Sequence, residues 1–408
     1  MNILQAHKYF WRRDGASNYM VDLSKQLQKN DHKVVPFSLD QEETIESRYD
    51  NFFVTYFDIS NPEKYSLAEK IEIAAKFVYN WEAKNNIEQL INELDFKLDL
   101  AHLHNIYHHI SPSILPAIKK NRASTVMTLH DYKLICPNYT MFYDGQIREQ
   151  DCKGWYLSCI KDRSMKSSLA QSILVTLEMI IHHKIWGVYE KYIDQFITPS
   201  KFMKQKCIEH GWSEEKFSHI PNPINADKFE FSDKEGDYVA YIGRLSEEKG
   251  LDTLLDAAKK LSDIPFYLTG SGDYQQHLKT RCREENINNV TFDGFLTGKK
   301  LKSRIKQADM LVLPSIWYEN YPISVLEAKA MGRIVIGSKI GGIPEQLPNE
   351  LLFEPKNSIQ LSEKIEKWFN KPKENKKELR KQLRAEVEQE NDPDQHLQQI
   401  LNVYKSVL

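Results

Sequence analysis

Short apolar runs rich in β-branched residues alternate with amphipathic helical stretches from one end of this chain to the other, and no other feature limits its fold as much. A strand that is apolar on both faces needs helices on both sides, which is the arrangement of a parallel sheet in an α/β protein. In the first half the runs cover residues 2–6, 32–37, 98–104, 125–130 and 195–199. In the second half they cover 238–243, 266–270, 290–294, 310–314, 333–337 and 351–354, each followed by a turn residue and mostly by a helix. At 408 residues the chain exceeds the size at which one core keeps growing, so two domains are expected.

The break between them falls at Ile220-Pro-Asn-Pro-Ile-Asn225 and the polar run that ends at Gly236, where two prolines remove backbone donors and fix φ. This predicts one domain over 1–222, a second over 223–393 with a hinge near 222–236, and a terminal segment 394–408 packed back on the first. The charge-rich stretch 371–391 reads as a solvated helix. Asp392-Pro393-Asp394 reads as the cap of the next helix rather than a metal-binding pair, because it follows no strand.

Composition excludes several classes. Fifty-five basic against 57 acidic residues give a net charge of −2, without the electrostatic footprint of a nucleic-acid binder, so no nucleic-acid partner is expected. The start Met1-Asn-Ile-Leu-Gln-Ala lacks the charged lead and apolar core of a secretory signal, and a cytoplasmic place is expected. The apolar stretch 169–181 is interrupted by Gln171 and Glu178 and is shorter than the ~20 residues of a spanning helix. Five cysteines, an odd number, fit free thiols in a reduced compartment. Cys136, Cys152 and Cys159 are near in sequence but lack the C-x2-C spacing of structural zinc.

Two segments carry the chemistry. The strand at 238–243 opens into Arg244-Leu-Ser-Glu-Glu-Lys249-Gly250, which sets two cations at the carboxyl edge of a sheet, where α/β proteins bind ligands. Either cation alone reads as a surface charge; together, after Gly243, they suit a diphosphate. The second segment, Glu319-Asn-Tyr-Pro-Ile-Ser-Val-Leu-Glu327, follows the strand at 310–314. Pro322 suits the first turn of a helix, so free amides at Ile323 and Ser324 would face an anion. Glu319 then lies in the loop and Glu327 inside the helix, where two carboxylates would hold different hydroxyls; a loop acid and a surface helix acid are the plain alternative.

The array Gly243-Arg-Leu-Ser-Glu-Glu-Lys-Gly250, Gly270-Ser-Gly272, Glu319 to Glu327 and Gly341-Gly-Ile-Pro-Glu345 resembles glycosyltransferase family 4, the retaining group with GT-B architecture. The strong match covers about residues 238–355, and His130-Asp131, Cys136-Pro137 and Pro199-Ser200 extend a weaker one into the first half. The resemblance implies two Rossmann-like domains across a cleft, the first for acceptor and the second for a UDP- or GDP-linked sugar donor. It implies that Arg244 and Lys249 grip the diphosphate, Glu327 the ribose, and Glu319, Asn320, Tyr321, Pro322 and Ile323 the transferred sugar. Leu296 and Thr297 would lie along the base and pyrophosphate, and Gly243 and Gly270 line the donor loops. His130 would face the sugar from the first domain; a satisfied strand-end histidine is the alternative. Gly15, where many relatives have two adjacent glycines and this chain has Asp14-Gly15, would let backbone approach the donor. No cofactor or metal is expected, since cations and helix termini would neutralise the leaving group.

The implied function is transfer of a hexose-type sugar to a hydroxyl acceptor, a glycan or lipid-linked glycan, in surface polysaccharide or glycolipid synthesis. An epimerase on the same architecture and a non-catalytic nucleotide-sugar-binding subunit are the rivals. A dehydrogenase is disfavoured, because the first strand leads into Tyr9-Phe-Trp-Arg-Arg rather than a glycine-rich fingerprint. His102 and His104 share a strand face but have no companions that complete a metal site, so they read as cleft lining or structure. The segment 155–192, read as a long helix and its approach, mixes aromatics with lysines, which suits either a packed helix or contact with an anionic membrane surface.

Overall fold

The computed structural model describes residues 1–59 and 61–408. The apolar runs form two six-stranded parallel sheets. The first comprises β1 (Asn2–Ala6), β2 (Lys33–Phe37), β3 (Leu100–Leu103), β4 (Ser124–Thr128), β5 (Gln195–Thr198) and β6 (Phe217–His219) in the order β6-β5-β4-β3-β1-β2. The second comprises β7 (Val239–Ile242), β8 (Phe266–Thr269), β9 (Val290–Gly294), β10 (Met310–Leu313), β11 (Ile334–Ser338) and β12 (Leu352–Phe353) in the order β9-β8-β7-β10-β11-β12. Both faces of each sheet are buried: in β1, Leu4 and Ala6 join one core while Ile3 joins another, and in β7 Val239 and Tyr241 face away from Ala240.

The chain crosses between the sheets twice, at 220–224 and at 391–393, and the crossings are tied together. The Ile224 amide donates to the Asn391 carbonyl at 2.8 Å, and Asn391 Nδ2 donates to the Asn222 carbonyl at 2.9 Å. Asp392 then caps the helix Pro393–Val407 through the amides of Asp394 and Gln395. Leu397, Ile400 and Tyr404 of that helix pack against Ile3, Leu100 and Val126 of the first sheet.

Three expectations need correction. The helix Lys373–Glu390 is not solvated all round: Lys376 and Arg380 are buried and reach Asp309 at 3.2 and 2.5 Å, which anchors it to the second sheet. The segment 155–192 is broken into Leu157–Lys161, Leu169–Met179, a wider turn at Ile180–Ile185, and Val188–Tyr192; left-handed residues Arg163, Lys166 and Ser167 end the first piece and Gly187 precedes the last. Cys136 and Cys152 are not free thiols but a disulfide, their Cα atoms 4.4 Å apart, because the hairpin Phe142–Tyr143 with Gln146–Ile147 turns the chain back between them. The cysteine count therefore no longer argues for a reducing compartment. Among the described residues no helix is long and apolar enough to cross a membrane.

Candidate functional site

Strand order reverses between β7 and β10 in the second sheet, so a crevice opens beyond their carboxyl ends. The loop after β7 carries Arg244 and Lys249; that after β10 carries Ser315, Trp317 and Glu319. Glycines let these loops converge. Gly250 has φ +66°, and a β-carbon on it would stand 2.0 Å from the Pro314 carbonyl oxygen. β-Carbons on Gly270 and Gly272 would meet the carbonyl oxygens of Gly243 and Leu245 at 1.8 and 2.1 Å. Gly341, at φ +59°, and Gly342 press on the opposite side, where β-carbons would lie 2.3 Å from the Glu319 carbonyl oxygen and 1.8 Å from that of Asn320.

The product of this convergence is a buried ion pair. Lys249 Nζ donates to Glu319 Oε1 at 2.7 Å, Ser315 Oγ donates to the same oxygen at 2.6 Å, and Glu319 is only 5% exposed. Burial alone would raise the carboxyl pKa, but the Lys249 ammonium and these hydrogen bonds hold it below the ordinary glutamate range, so Glu319 is a carboxylate. The ammonium also lies 4.8 Å from the centre of the Trp317 ring. Arg244 stands at the rim, 61% exposed and paired with Glu248 at 2.5 Å. Pro322 is at the cap of the helix Ile323–Ala330, one residue earlier than expected because its ψ of 118° is extended. No side chain caps that end, so the amides of Ile323 and Ser324 are left for another acceptor.

In the first sheet the reversal lies between β1 and β3. The loop after β1 ends at Asp14, whose carboxylate caps the helix Gly15–Lys29 in a reciprocal box with Ser17. A β-carbon on Gly15 would touch Ile323 Cδ1 at 3.6 Å, so the starts of these two helices face each other across the cleft.

His130 follows β4 and ends a chain of buried hydrogen bonds. Gln5 Oε1 accepts from His104 Nε2–H at 2.9 Å, which leaves His104 Nδ1 to accept from His130 Nε2–H at 3.1 Å. His130 is thus held with Nδ1 unprotonated. His102 reaches the hydroxyls of Thr128 and Tyr404, each at 2.7 Å, and His396 Nδ1–H donates to the Pro221 carbonyl at 2.8 Å while its Nε2 accepts from the Tyr19 hydroxyl at 2.9 Å. Burial, aided by neighbouring imidazoles, lowers the pKa of His102 and of His130 to about 3, and burial lowers that of His396 to about 4, so these rings stay neutral.

The sheets are bridged above the site. Asn320 Nδ2 donates to the Leu129 carbonyl at 3.2 Å, its Oδ1 accepts from Ser200 Oγ at 2.8 Å, and the Glu345 carboxylate accepts from the amides of Lys201 and Phe202 at 2.8 and 2.7 Å. Between the sheets lies a cavity of about 390 Å³. Around it the structure gathers Gly15, His130, Lys249, Glu319, Asn320, Tyr321, Pro322 and Ile323. Arg244, Gly243, Gly270, Leu296 and Thr297 are not on its wall. Glu327 opens instead into a larger cavity of about 780 Å³ beside the linker, and burial raises its carboxyl pKa. The ionised pair and uncapped helix make the smaller cavity the chemically distinctive one. Trp317 and the bridging role of Asn320 escaped the sequence reading because their partners, Lys249 and Leu129, come from distant elements; Ser315 was missed although its partner Glu319 is four residues away in the same loop, and its strand-to-loop position was the available signal. Among the described residues no group of three or more His, Cys, Asp or Glu is placed to hold a metal ion.

Comparison with known proteins accords with this geometry. The family described as Glycosyltransferase Family 4 matches residues 13–228, and the one described as Glycosyl transferases group 1 matches 224–389. An uncharacterized 42.6 kDa protein in the cps region of Klebsiella pneumoniae is 26% identical over 87% of this chain and 90% of its own. An uncharacterized glycosyltransferase of Methanocaldococcus jannaschii is 30% identical over 191 residues, 41% of this chain and about half (49%) of the relative. The amylovoran biosynthesis glycosyltransferase AmsK of Erwinia amylovora is 26% identical over 37% of this chain and 41% of its own. Among solved structures, Anabaena HepE in complex with UDP-glucose superposes with a TM-score of 0.67 at 17% identity over the full length of both chains, which shows a shared fold. The family 4 match spans more than half of the 408 residues, and the chain belongs to glycosyltransferase family 4: it is a glycosyltransferase of GT-B fold.

Proposed function

We propose that the protein transfers a hexose-type sugar from a UDP- or GDP-linked donor to a hydroxyl of a glycan or lipid-linked glycan, with retention of anomeric configuration. The observation that carries this is the ionised Glu319 paired with Lys249 beside the uncapped start of Ile323–Ala330. Lys249 and Arg244 neutralise the diphosphate, each charge-assisted hydrogen bond being worth about 1.5–3 kcal/mol. The amides of Ile323 and Ser324 receive phosphate oxygens. Glu319 takes sugar hydroxyls with Asn320 and Tyr321, and Glu327 the ribose; Leu296 and Thr297 lie along the base, and Gly243 and Gly270 let the loops approach. Gly15 and the lone pair of His130 Nδ1 complete the site from the first domain, the segment 222–236 serves as the hinge, and water is excluded. These side chains do the work of a metal, so none is required.

A nucleotide-sugar donor agrees with the UDP and UDP-glucose bound to HepE, and polysaccharide synthesis with the activity named for AmsK. We further propose peripheral contact with the inner membrane face through the exposed Leu169, Ile173 and Leu177, spaced four apart on one helix with Lys161 and Lys184 nearby. Proton NMR of the product formed from a UDP- or GDP-sugar with α-anomeric linkage tests the reaction: an α-linked product supports it, whereas a β-linked product refutes retention.

A further inference from the structure

Beside the donor cavity, in the first domain, lies a second cavity of about 220 Å³ whose wall includes Tyr9, Tyr107 and Tyr139. The two are neighbours: the Tyr107 hydroxyl donates to Asp131, which lines the donor cavity, and Tyr139 feels the charge of Arg244 from the opposite domain. Three cations line the second cavity, Lys8, Arg13 and Lys166, and no carboxylate does. None of the three makes an ion pair among the described residues. Lys8 is half-buried with its ammonium 3.9 Å from the centre of the Tyr107 ring. Burial pulls its pKa down to about 8, partly offset by the nearby carboxylates of Asp131 and Asp14. The Arg13 guanidinium lies over the Tyr9 ring, 4.1 Å from its centre.

The same cavity is walled by a neutral imidazole. His109 Nε2–H donates to the Phe57 carbonyl at 2.9 Å, which leaves a buried Nδ1 with no hydrogen-bond partner. Burial and the nearby Lys8 lower the pKa of this ring to about 3, so it stays uncharged. Aromatic faces for a pyranose ring and unpaired cations for a negative group are thus assembled in one place.

We propose that this cavity is the acceptor subsite and that it selects a saccharide bearing an anionic group, a carboxylate or a phosphate ester, with Lys8 and Arg13 as its specificity determinants. The proposal rests on the donor reading above. A uronate supplies the carboxylate. A lipid-linked glycan supplies the phosphate, and the helix Leu169–Met179, which walls the cavity with Leu174 and Val175 while exposing Leu177, stands where such a lipid would approach.

The test is calorimetric titration of the full chain, saturated with UDP so that the donor phosphate site is filled, with methyl α-D-glucuronide, glucose 1-phosphate and methyl α-D-glucoside. At least one anionic probe should bind about tenfold more tightly than the neutral glucoside. Preference for the glucuronide assigns the carboxylate, and preference for glucose 1-phosphate the phosphate. Lys8→Met should abolish the preference, Lys8→Arg should retain it, and UDP affinity should change less than twofold in both. Arg13→Gln, at an exposed position, repeats the test without altering a buried side chain. Equal binding of all three probes with intact UDP binding overturns the proposal alone; failure of UDP to bind overturns the donor reading and the proposal with it.

Discussion

Lys249→Ala should separate two roles of one ammonium. In the free protein it neutralises Glu319, and the side chains of the pair are only 16% and 7% exposed. Removing one partner of a buried pair destabilises by about 3–5 kcal/mol, and because Lys249 still reaches solvent we expect about 3 kcal/mol. In the donor complex the same ammonium contributes one charge-assisted hydrogen bond, about 1.5–3 kcal/mol or roughly 10- to 150-fold in Kd. The pH dependence has a definite sign. In the wild type Glu319 has a lowered pKa, so its contribution is complete above the ordinary glutamate value and is lost as pH falls through the lowered one. In the variant, burial without the cation raises that pKa above the ordinary value. Its penalty is present at neutral pH and disappears on acidification, once the carboxyl is protonated in both folded and unfolded chains. The gap between the two urea midpoints should therefore narrow as pH falls. Glu319→Gln in the Lys249→Ala background should recover stability at neutral pH without recovering UDP affinity, read by calorimetry. A pH-independent gap, or a double variant as unstable as the single one, would refute the argument.

Other consequences are open to measurement. Gly341→Ala places a β-carbon 2.3 Å from the Glu319 carbonyl oxygen at a left-handed φ; turnover should fall about 10²-fold by misplacement of the sugar-facing carboxylate, while circular dichroism stays unchanged. Alkylation followed by mass spectrometry should find three free thiols, Cys159, Cys207 and Cys282, and Cys152→Ser should lose about 3 kcal/mol of stability for a bridge across 16 residues. His104→Phe should release His130 from a single tautomer, visible as a mixture in ring 15N NMR; an unchanged Nε2-protonated signal would show that the hydrogen bond to His104 is not what sets it.

The strands were legible because helices cover both sheet faces, so each strand is an apolar run bounded by turns. β6 was not, since Phe217-Ser-His carries no such run and is defined by pairing with β5. Arg244, Lys249 and Glu319 stood out because charges at the carboxyl ends of strands have a physical reason to be there. What sets their behaviour was hidden: the pairing of Lys249 with Glu319, and the glycine backbones at 341 and 342 pressing from the next loop, follow from sheet order rather than from neighbours in sequence. The same holds for Lys376 and Arg380, which look solvated in a charged stretch until Asp309 is brought to them. His102 and His104 were placed on one strand face, but their partners Tyr404 and Gln5 come from opposite ends of the chain. Cys136 and Cys152 become a pair only when the hairpin between them closes.

The most direct test of the central claim is donor binding and slow hydrolysis by the purified protein across UDP-, GDP- and ADP-sugars, with Lys249→Ala and Glu319→Ala alongside. One donor should bind and be cleaved, with affinity lost in the Lys249 variant and cleavage reduced about 10²-fold in the Glu319 variant. A folded protein that neither binds nor cleaves any of them, or variants that match the wild type, would contradict the assignment of the cleft between the two sheets as the site of sugar transfer.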